Sequence, residues 1–293
     1  MERVQISNDV SLSRIAQGFR RLSSWNLPTD ELVNFMNACI DRGVTTFDTA
    51  EVYAGTLSES LMGQAFAADP SIRPRIQLVT KTGIFKDQGF GYYDTSYERI
   101  LRSCRESLQR LNTDYLDLYL IHREDPLFDP WGTAKALLEL KEQGLIREFG
   151  VSNFDPFKFE ALQKATGYQL VTNQIEWSPV CFEHFNSGMM DYLTANRIHP
   201  MIWSPLGEGK LFQAGDPRCE AAMSVISQLA KKYDIEPSVM IFAWILHHPV
   251  GAVPLVGSRR LDRLDLAIHG LDVPLERSDW YRIYTASGQQ KLR

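Results

Sequence analysis

The chain has 293 residues, of which 44% are hydrophobic, and its formal net charge is -5. This length suffices for one large hydrophobic core. Because no basic face dominates, we do not expect nucleic acid as a partner. No stretch reaches the roughly 18–20 apolar residues that a membrane span needs, and the polar N-terminus shows no secretory signal, so we expect a cytoplasmic protein without a membrane partner. The four cysteines, which lack C-x-x-C spacing, are expected to be free thiols of a reducing compartment.

Short apolar or β-branched segments alternate with helical patterns along the whole chain. The strand candidates are residues 14–22, 43–50, 75–83, 115–122, 147–153, 168–178, 199–207 and 251–258. The helical patterns include residues 29–43, 95–111, 131–144, 155–167 and 236–248. Thr29 or Asp30 is expected to cap the first of these helices, and Gly43 to close it. Pro156 and Pro237 stand where first-turn prolines belong.

Strict alternation of helices with continuous apolar strands predicts a parallel sheet. Eight strand candidates favour an α/β fold with one closed (β/α)8 TIM barrel, which we expect to form a single domain over residues 1–293. An open doubly wound sheet is the alternative. Residues 4–13 are expected to form a small hairpin across the N-terminal mouth of the barrel.

Polar residues mark the ends of the predicted strands. In a barrel of this kind the active site lies at the C-terminal ends of the strands. Each residue alone has a structural explanation, because strand ends are wet, but seven aligned polar residues indicate a site. They are Asp48, Lys81, His122, Asn153, Gln174, Ser204 and Ser258.

Four residues in this region suit acid–base chemistry. Tyr53 lies five residues after Asp48, in the loop that enters the next helix. A tyrosine has a pKa of about 10 and is a poor acid at neutral pH. The ammonium of Lys81, held by Asp48, would stabilise the phenolate and lower that pKa. With His122 as a hydrogen-bond donor to a substrate oxygen or as a proton relay, the set suits protonation of an alkoxide that forms from a carbonyl.

These residues lie in segments that resemble the aldo-keto reductases, a barrel family of NADPH-dependent carbonyl reductases. GVTTFDTAEVYAGTLSESLMG and LNTDYLDLYLIH match the two N-terminal signature regions of the family. The resemblance covers roughly residues 14–270, and the remaining tail fits the C-terminal helix and loop of the family. It implies a catalytic tetrad of Asp48, Tyr53, Lys81 and His122 with Tyr53 as general acid. It also implies NADP(H) as cofactor, a small-molecule carbonyl substrate, and a monomer as the family tendency.

The resemblance also assigns residues to the cofactor. GVSNF and TNQIEWS resemble the carboxamide-binding segments, and IWSPLGEGKL resembles the segment that stacks on the nicotinamide and carries the pyrophosphate. PLVGSRRLDRLDLA would bind the 2′-phosphate, since a dianion favours a helix N-terminus and guanidinium groups. In chain order these segments imply Ser152, Asn153 and Gln174 for the carboxamide, Trp203 for stacking, Ser204, Leu206, Gly209 and Lys210 beside the phosphates, and Ser258, Arg259 and Arg263, with Arg260 as a further candidate, for the 2′-phosphate.

Several of these residues have structural alternatives. Ser152 could cap a strand end, Trp203 could be a core residue, and the arginines could pair with Asp262 and Asp265 on a solvated helix. The chain also departs from the family in two positions. Trp203 stands where many members have tyrosine, and Ala267 stands about where many have an asparagine for the adenine.

Substrate contacts are predicted only from position in the chain. Trp25, Phe85 and Phe128 follow early strands and, with Trp131 and the loop 85–94, would wall a pocket for apolar or planar carbonyl compounds or pack on the barrel rim. Two other functions compete with the reductase. One is a cofactor-binding regulatory subunit of the kind that associates with potassium channels, which can keep the tetrad. The other is a metal-dependent hydrolase, and a metal site is not expected because only His122 among the six histidines ends a strand candidate.

Overall fold

The computed structural model describes residues 1–87 and 89–292. The strands, in chain order, are β1 (Arg3–Gln5), β2 (Ser11–Ser13), β3 (Ala16–Gly18), β4 (Thr46–Asp48), β5 (Gln77–Thr82), β6 (Ile84–Asp87), β7 (Phe90–Tyr93), β8 (Leu116–Ile121), β9 (Ile146–Ser152), β10 (Asn173–Glu176), β11 (Met201–Trp203) and β12 (Val253–Val256). The α-helices are α1 (Leu22–Trp25), α2 (Thr29–Asp41), α3 (Leu57–Ala68), α4 (Tyr97–Arg110), α5 (Pro130–Glu142), α6 (Pro156–Thr166), α7 (Glu183–Asn186), α8 (Met189–Ala195), α9 (Pro217–Lys232), α10 (Pro237–Leu246), α11 (Leu261–His269) and α12 (Arg277–Ala286), and short 3₁₀ helices span Arg73–Arg75 and Gly207–Phe212. Within these ranges no helix combines the length and apolar character that crossing a membrane requires.

The centre of the protein is a closed parallel barrel in the order β3, β4, β5, β8, β9, β10, β11, β12. Parallel pairing of Leu255 with Ala16 closes the ring between the last and the first barrel strand. The predicted barrel is therefore confirmed, and the open doubly wound sheet is wrong. Because all strands run in the same direction, their C-terminal ends meet at one face of the barrel, where the predicted polar residues lie.

The N-terminal hairpin is confirmed as the antiparallel pair β1 and β2. Its apolar residues Val4, Val10 and Leu12 belong to the same buried cluster as Val79 and Leu118 of the barrel strands. The hairpin therefore buries the apolar interior of the barrel at the face opposite the predicted site, because exposure of that surface to water is unfavourable.

The C-terminal helix is also confirmed, as α12. It is held against α10 by two tryptophans whose rings stack with centroids 5.5 Å apart. The indole N–H of Trp244 donates to the carbonyl of Trp280 at 3.1 Å, and that of Trp280 donates to the carbonyl of Trp244 at 2.9 Å. The indole N–H of buried Trp244 and that of half-buried Trp280 thus both have partners, as an enclosed indole requires.

Some local predictions were wrong. The first predicted strand extended to Leu22, but β3 ends at Gly18 and Leu22 begins α1. The predicted strand 168–178 is shorter in the structure. Only the residues of β10, Asn173–Glu176, pair with β9 and β11. The expected N-terminal cap of α2 by Thr29 or Asp30 is absent as well. Pro28 is the N-cap residue and makes no side-chain bond, so Thr29 and Asp30 lie in the first turn, where a carboxylate favours the helix dipole.

The prediction for Gly43 is confirmed, and the prediction of a loop at residues 85–94 is wrong. Gly43 has φ of 78° just after α2, the left-handed conformation that makes glycine a helix terminator, as predicted. The predicted loop 85–94 instead contains an antiparallel hairpin of β6 and β7, in which Ile84 pairs with Tyr93 and Asp87 with Phe90. The four cysteines are free thiols, as expected.

His248, which follows α10, gives the fold a specific acid sensitivity. Burial lowers its pKa to about 4. The Nδ1 of the neutral ring accepts a hydrogen bond from the backbone N–H of Val250 at 3.2 Å. The unfolded chain takes up this proton near pH 6.5, about the reference value, and the folded chain only near 4. This contribution to stability is therefore complete above about pH 6.5 and is lost progressively as the pH falls towards 4.

We therefore expect the free energy of unfolding of His248→Asn to fall less between about pH 7 and about pH 4.5 than that of the unaltered chain. Urea unfolding at both pH values measures this difference. His247→Asn is the matched control, because His247 is the exposed neighbour on the same turn. Equal pH dependence in the unaltered chain and in His248→Asn would contradict the role of His248.

Candidate functional site

A cleft of about 1080 Å³ opens at the C-terminal ends of the barrel strands. It is lined by residues from both halves of the barrel, from the loops after β3, β4 and β8, and from β6, α10 and α11. Most of the residues predicted from the sequence line this one cleft. They are Asp48, Tyr53, His122, Ser152, Asn153, Gln174, Trp203, Ser204, Leu206, Gly209, Lys210, Ser258 and Arg263.

Lys81 is fully buried and extends its ammonium towards the floor of the cleft. Its Nζ donates to the Asp48 carboxylate at 2.8 Å, to the carbonyl oxygen of Thr49 at 2.7 Å and to the Tyr53 hydroxyl at 3.3 Å. The neighbouring positions of β4 and β5 in the barrel bring these groups together. A buried ammonium is tolerated when its three protons have acceptors, and here each proton has one.

The electrostatics of this group depend on two opposing effects. Burial disfavours the charge of Lys81, but Asp48 and Tyr53 outweigh it and raise the pKa of Lys81 above its usual value. Burial raises the pKa of Tyr53, and the charge of Lys81 opposes this effect. The expected lowering of the Tyr53 pKa was therefore wrong in its net direction, because loss of solvation exceeds the attraction of the ammonium. Tyr53 holds its proton at neutral pH, and Lys81 stands ready to stabilise the phenolate.

His122 follows β8 and is nearly buried beside Tyr53. Its backbone N–H donates to the carbonyl of Thr82 at 2.7 Å, which continues the ladder between β5 and β8 by one residue. The rings of His122 and Tyr53 meet edge to face, with centroids 5.7 Å apart. Burial, with help from Lys81 and Arg123, lowers the pKa of His122 well below its usual value, so the imidazole is neutral. Within residues 1–87 and 89–292 its Nδ1 has no hydrogen-bond partner to fix the tautomer.

The amides predicted for the carboxamide form one network with the rest of the site. Asn153 has a left-handed backbone with φ of 60°. Its Nδ2 donates to Ser152 Oγ at 2.7 Å, and its Oδ1 accepts from the indole N–H of Trp203 at 2.8 Å. Gln174 Nε2 donates to Asp48 at 2.8 Å. A tyrosine at position 203 would offer a hydroxyl in place of this indole N–H, so the departure at Trp203 changes the group that holds Asn153.

The segment after β11 bends sharply where it was predicted to meet phosphates. Ser204, Glu208 and Gly209 have φ of 50°, 56° and 89°. Glu208 forms a salt bridge with Arg20 at 2.7 Å, which joins this segment to the loop after β3. The left-handed residues Glu208 and Gly209 interrupt the 3₁₀ helix Gly207–Phe212 beside the cleft.

The three arginines before and within α11 have different surroundings. Arg263 lines the cleft, as predicted. Arg259 does not, because its Nη1 donates to the carbonyl of Trp25 at 2.7 Å. Arg260 also lies outside the lining and bonds Asp262 through Nε at 3.0 Å. Asp265 pairs with Arg42, which directly follows α2, rather than with these arginines. Ala267 is buried in the core.

Trp25, Phe85, Phe128 and Trp131 do not line the cleft in the described part of the chain, whereas Lys86 of the predicted loop 85–94 does. Trp25 packs into the core, with its ring centroid 5.5 Å from that of Phe35. Phe128 packs edge to face on Phe154 at 5.6 Å, and Phe85 lies under the guanidinium of Arg99 at 3.5 Å. These aromatic rings gain more from burial against neighbouring side chains than from facing an open cleft.

Other cleft residues were not singled out from the sequence. Two of them follow the strand-end rule that found the rest. Arg123 comes directly after His122, in a stretch interpreted only as the loop leaving the barrel, and Glu176 is the last residue of β10. The others lie in loops without a fixed pattern. The charged residues of this set are Arg20, Arg21, Arg123, Glu176 and Glu208.

A parallel barrel with a buried Lys–Asp pair, a tyrosine and a histidine in one cleft defines the class of this protein. The model of the Aldo/keto reductase family matches residues 14–287. A protein of Bacillus subtilis (strain 168) named "Uncharacterized oxidoreductase YcsN" is 40% identical over 295 residues, 98% of each chain. A "6-dehydroglucose reductase" of Agrobacterium fabrum (strain C58) is 37% identical over 292 residues, 97% of each chain. The chain belongs to the aldo/keto reductase family.

The solved structures agree with this fold. The thermostable aldo-keto reductase Tm1743, solved in complex with the inhibitor epalrestat, superposes with a TM-score of 0.83 at 24% identity, over 98% of this chain and 100% of the other. At this identity the likeness supports the barrel architecture. Together with the family assignment it favours an oxidoreductase over the metal-dependent hydrolase.

Proposed function

We propose that this protein is an NADPH-dependent reductase that converts aldehydes or ketones to alcohols, with Tyr53 as general acid. The observation that carries the proposal is the contact of 3.3 Å between the buried Lys81 ammonium and the Tyr53 hydroxyl inside the cleft. A protonated hydroxyl beside a fixed positive charge is suited to give its proton to a developing alkoxide.

Each of the four side chains has a separate role in the reduction. His122, neutral and beside Tyr53, hydrogen-bonds the carbonyl oxygen of the substrate and orients it. Tyr53 donates its proton to that oxygen as the carbon–oxygen double bond becomes a single bond. Lys81 stabilises the phenolate that remains, and Asp48 holds Lys81 in place. NADPH, when bound, supplies the hydride that the carbonyl carbon accepts.

The donor groups of the cleft fit a dinucleotide phosphate. The amides of Asn153 and Gln174 suit a carboxamide, and the ring of Trp203 offers an aromatic face. Lys210 and Arg263 add positive charge along the cleft, as phosphate groups require. A volume of about 1080 Å³ is ample for a ligand of this size, since small-ligand pockets span about 300–1000 Å³.

The choice of NADPH over NADH gives a test at α11. We expect Arg263→Ala to weaken NADPH binding about 10- to 100-fold while NADH binding changes little, because a charge-assisted bond to the 2′-phosphate contributes about 1.5–3 kcal/mol. Fluorescence titration with each dinucleotide measures this. Arg260→Ala is the matched control, since Arg260 is bonded to Asp262 outside the cleft. Equal weakening of NADH and NADPH in Arg263→Ala would assign the 2′-phosphate to other residues.

The overall function is tested by NADPH oxidation with a reactive aldehyde such as 4-nitrobenzaldehyde, beside a fluorescence titration with NADPH alone. Saturable oxidation would support the reductase. Quenching of tryptophan fluorescence without oxidation of NADPH by any carbonyl compound would favour a cofactor-binding regulatory subunit. Absence of both signals would refute the proposal.

A further inference from the structure

Two glutamates are buried on the outer face of β5, between the barrel and its helices. Because side chains alternate along a strand and Lys81 points to the cleft, its neighbours Thr80 and Thr82 face outwards. The Thr82 hydroxyl donates to Glu51 Oε2 at 2.8 Å. The Thr80 hydroxyl donates to Glu59 Oε1 at 2.6 Å. Glu51 is 5% exposed and Glu59 is fully buried, and carboxylates so enclosed need partners of opposite charge.

Two arginines of α4 supply these partners. Arg99 Nη2 lies 3.3 Å from Glu51 Oε1. Arg110 Nε donates to Glu59 Oε2 at 2.7 Å, and Arg110 Nη2 lies 3.9 Å from Glu51, so the four charges form one neutral network. The guanidinium of Arg99 also covers the ring of Phe85, 3.5 Å from its centroid. A buried ion pair is often no more stable than apolar residues of similar size, so stability alone does not explain this network.

The two glutamates differ in the part of the chain that they hold. Glu59 belongs to α3, whereas Glu51 lies in the loop between β4 and α3, two residues before Tyr53. The backbone N–H of Glu51 donates to the carbonyl of Lys81 at 3.0 Å, and its side chain accepts from Thr82. The segment that carries Tyr53 is therefore tied to β5 by both the backbone and the side chain of Glu51.

The loop beyond Tyr53 has an unfavourable backbone. Ala54, Gly55 and Thr56 are all left-handed, with φ of 52°, 62° and 77°. For residues other than glycine this conformation is strained, and it persists only where the surroundings impose it. The position of the Tyr53 hydroxyl therefore depends on contacts that reach the loop from outside it, and the buried carboxylate of Glu51 makes such contacts on the preceding side.

We propose that Glu51 is a positioning residue that holds the Tyr53 hydroxyl beside the Lys81 ammonium. Thr82 from β5 and Arg99 from α4 fix its carboxylate. In the described part of the chain Glu51 does not line the cleft, so it acts through Tyr53 and not on a ligand. The inference rests on the proposed reductase function, because it assigns the origin of the geometry in which Tyr53 gives up its proton.

The test uses two substitutions of nearly unchanged shape on the same face of β5. Thr82→Val removes the hydroxyl that is bonded to Glu51, and its matched control Thr80→Val removes the one that is bonded to Glu59. Glu51→Leu removes the carboxylate itself. The kcat and KM for 4-nitrobenzaldehyde and the affinity for NADPH are measured for each variant. Thermal unfolding shows which variants are folded, and Thr82→Val keeps the test decisive if Glu51→Leu is not.

We expect kcat to fall about 10-fold in Thr82→Val and up to about 100-fold in Glu51→Leu, since misplacement of a reacting group by about 1 Å can lower a rate about 100-fold. The KM and the affinity for NADPH should change little, because Glu51 contacts neither ligand. Thr80→Val should keep its kcat. Near-normal kcat in a folded Thr82→Val variant, or an equal loss in Thr80→Val, would overturn the inference.

A second readout separates positioning from general damage to the barrel. If Glu51 acts through the Tyr53 hydroxyl, Thr82→Val should lower kcat no further in a chain that already carries Tyr53→Phe. A loss by the same factor with and without Tyr53→Phe would overturn the inference while the reductase function stands. If the unaltered protein oxidises NADPH with no carbonyl compound, or if Tyr53→Phe keeps a normal kcat, the proposed function itself fails, and the inference fails with it.

Discussion

Tyr53→Phe is expected to lower kcat for carbonyl reduction by about 100-fold or more, the usual scale of a lost general acid, while NADPH binding stays nearly unchanged. The substitution removes only the hydroxyl that accepts from Lys81 at 3.3 Å and keeps the ring that packs against His122. Since the lost interaction acts on the alkoxide as it forms, kcat and kcat/KM should fall by similar factors. Steady-state kinetics and a fluorescence titration with NADPH measure both quantities.

Tyr168→Phe is the matched control for this experiment. Tyr168 is 59% exposed and precedes β10, at the end of the barrel remote from the cleft. Its variant should keep both kcat and NADPH affinity. Near-normal kcat in Tyr53→Phe would remove Tyr53 from the chemistry. A parallel loss of NADPH affinity would instead indicate that the hydroxyl serves cofactor binding.

The position of this tyrosine could be predicted because local patterns define it. Asp48 and Lys81 end neighbouring strands, and adjacent parallel strands bring their ends together whatever the surrounding loops do. The direction of the Tyr53 pKa could not be predicted in the same way. It depends on how far the folded chain removes the hydroxyl from water, and that quantity is set by all the elements around the cleft at once.

The arginines before and within α11 show a second limit of prediction from the sequence. Arg259, Arg260 and Arg263 stand close together in the sequence, and each has the charge that a phosphate requires. Which of them faces the cleft is decided by partners distant in the sequence or by a local acid: Arg259 bonds the carbonyl of Trp25 near the start of the chain, and Arg260 bonds Asp262. The aromatic substrate candidates were misplaced for a related reason, because the neighbours that bury Trp25 come from another helix.

Lys81→Met is expected to have the largest effect on stability. Lys81 is fully buried and Asp48 is 2% exposed. Removal of the ammonium leaves a buried carboxylate without its counterion, although Gln174 still donates to it at 2.8 Å. Removing one partner of such a pair costs about 3–5 kcal/mol of unfolding free energy. Denaturant unfolding measures the loss, and carbonyl reduction should fall as well, because the Tyr53 phenolate loses its stabilising charge.

Lys158→Met is the control that shows how much stability is lost when a lysine of a partly exposed salt bridge is removed. Its salt bridge with Glu124 is partly exposed, so removal should cost at most about 1 kcal/mol. The double variant Asp48→Asn, Lys81→Met provides the second comparison. With no unpaired buried charge, it should recover part of the stability lost in Lys81→Met and yet remain inactive. Recovered stability without recovered activity would mean that the pair serves the chemistry of Tyr53 rather than the fold. If the double variant is no more stable than Lys81→Met, the cost comes from lost packing in the barrel and not from the uncompensated carboxylate.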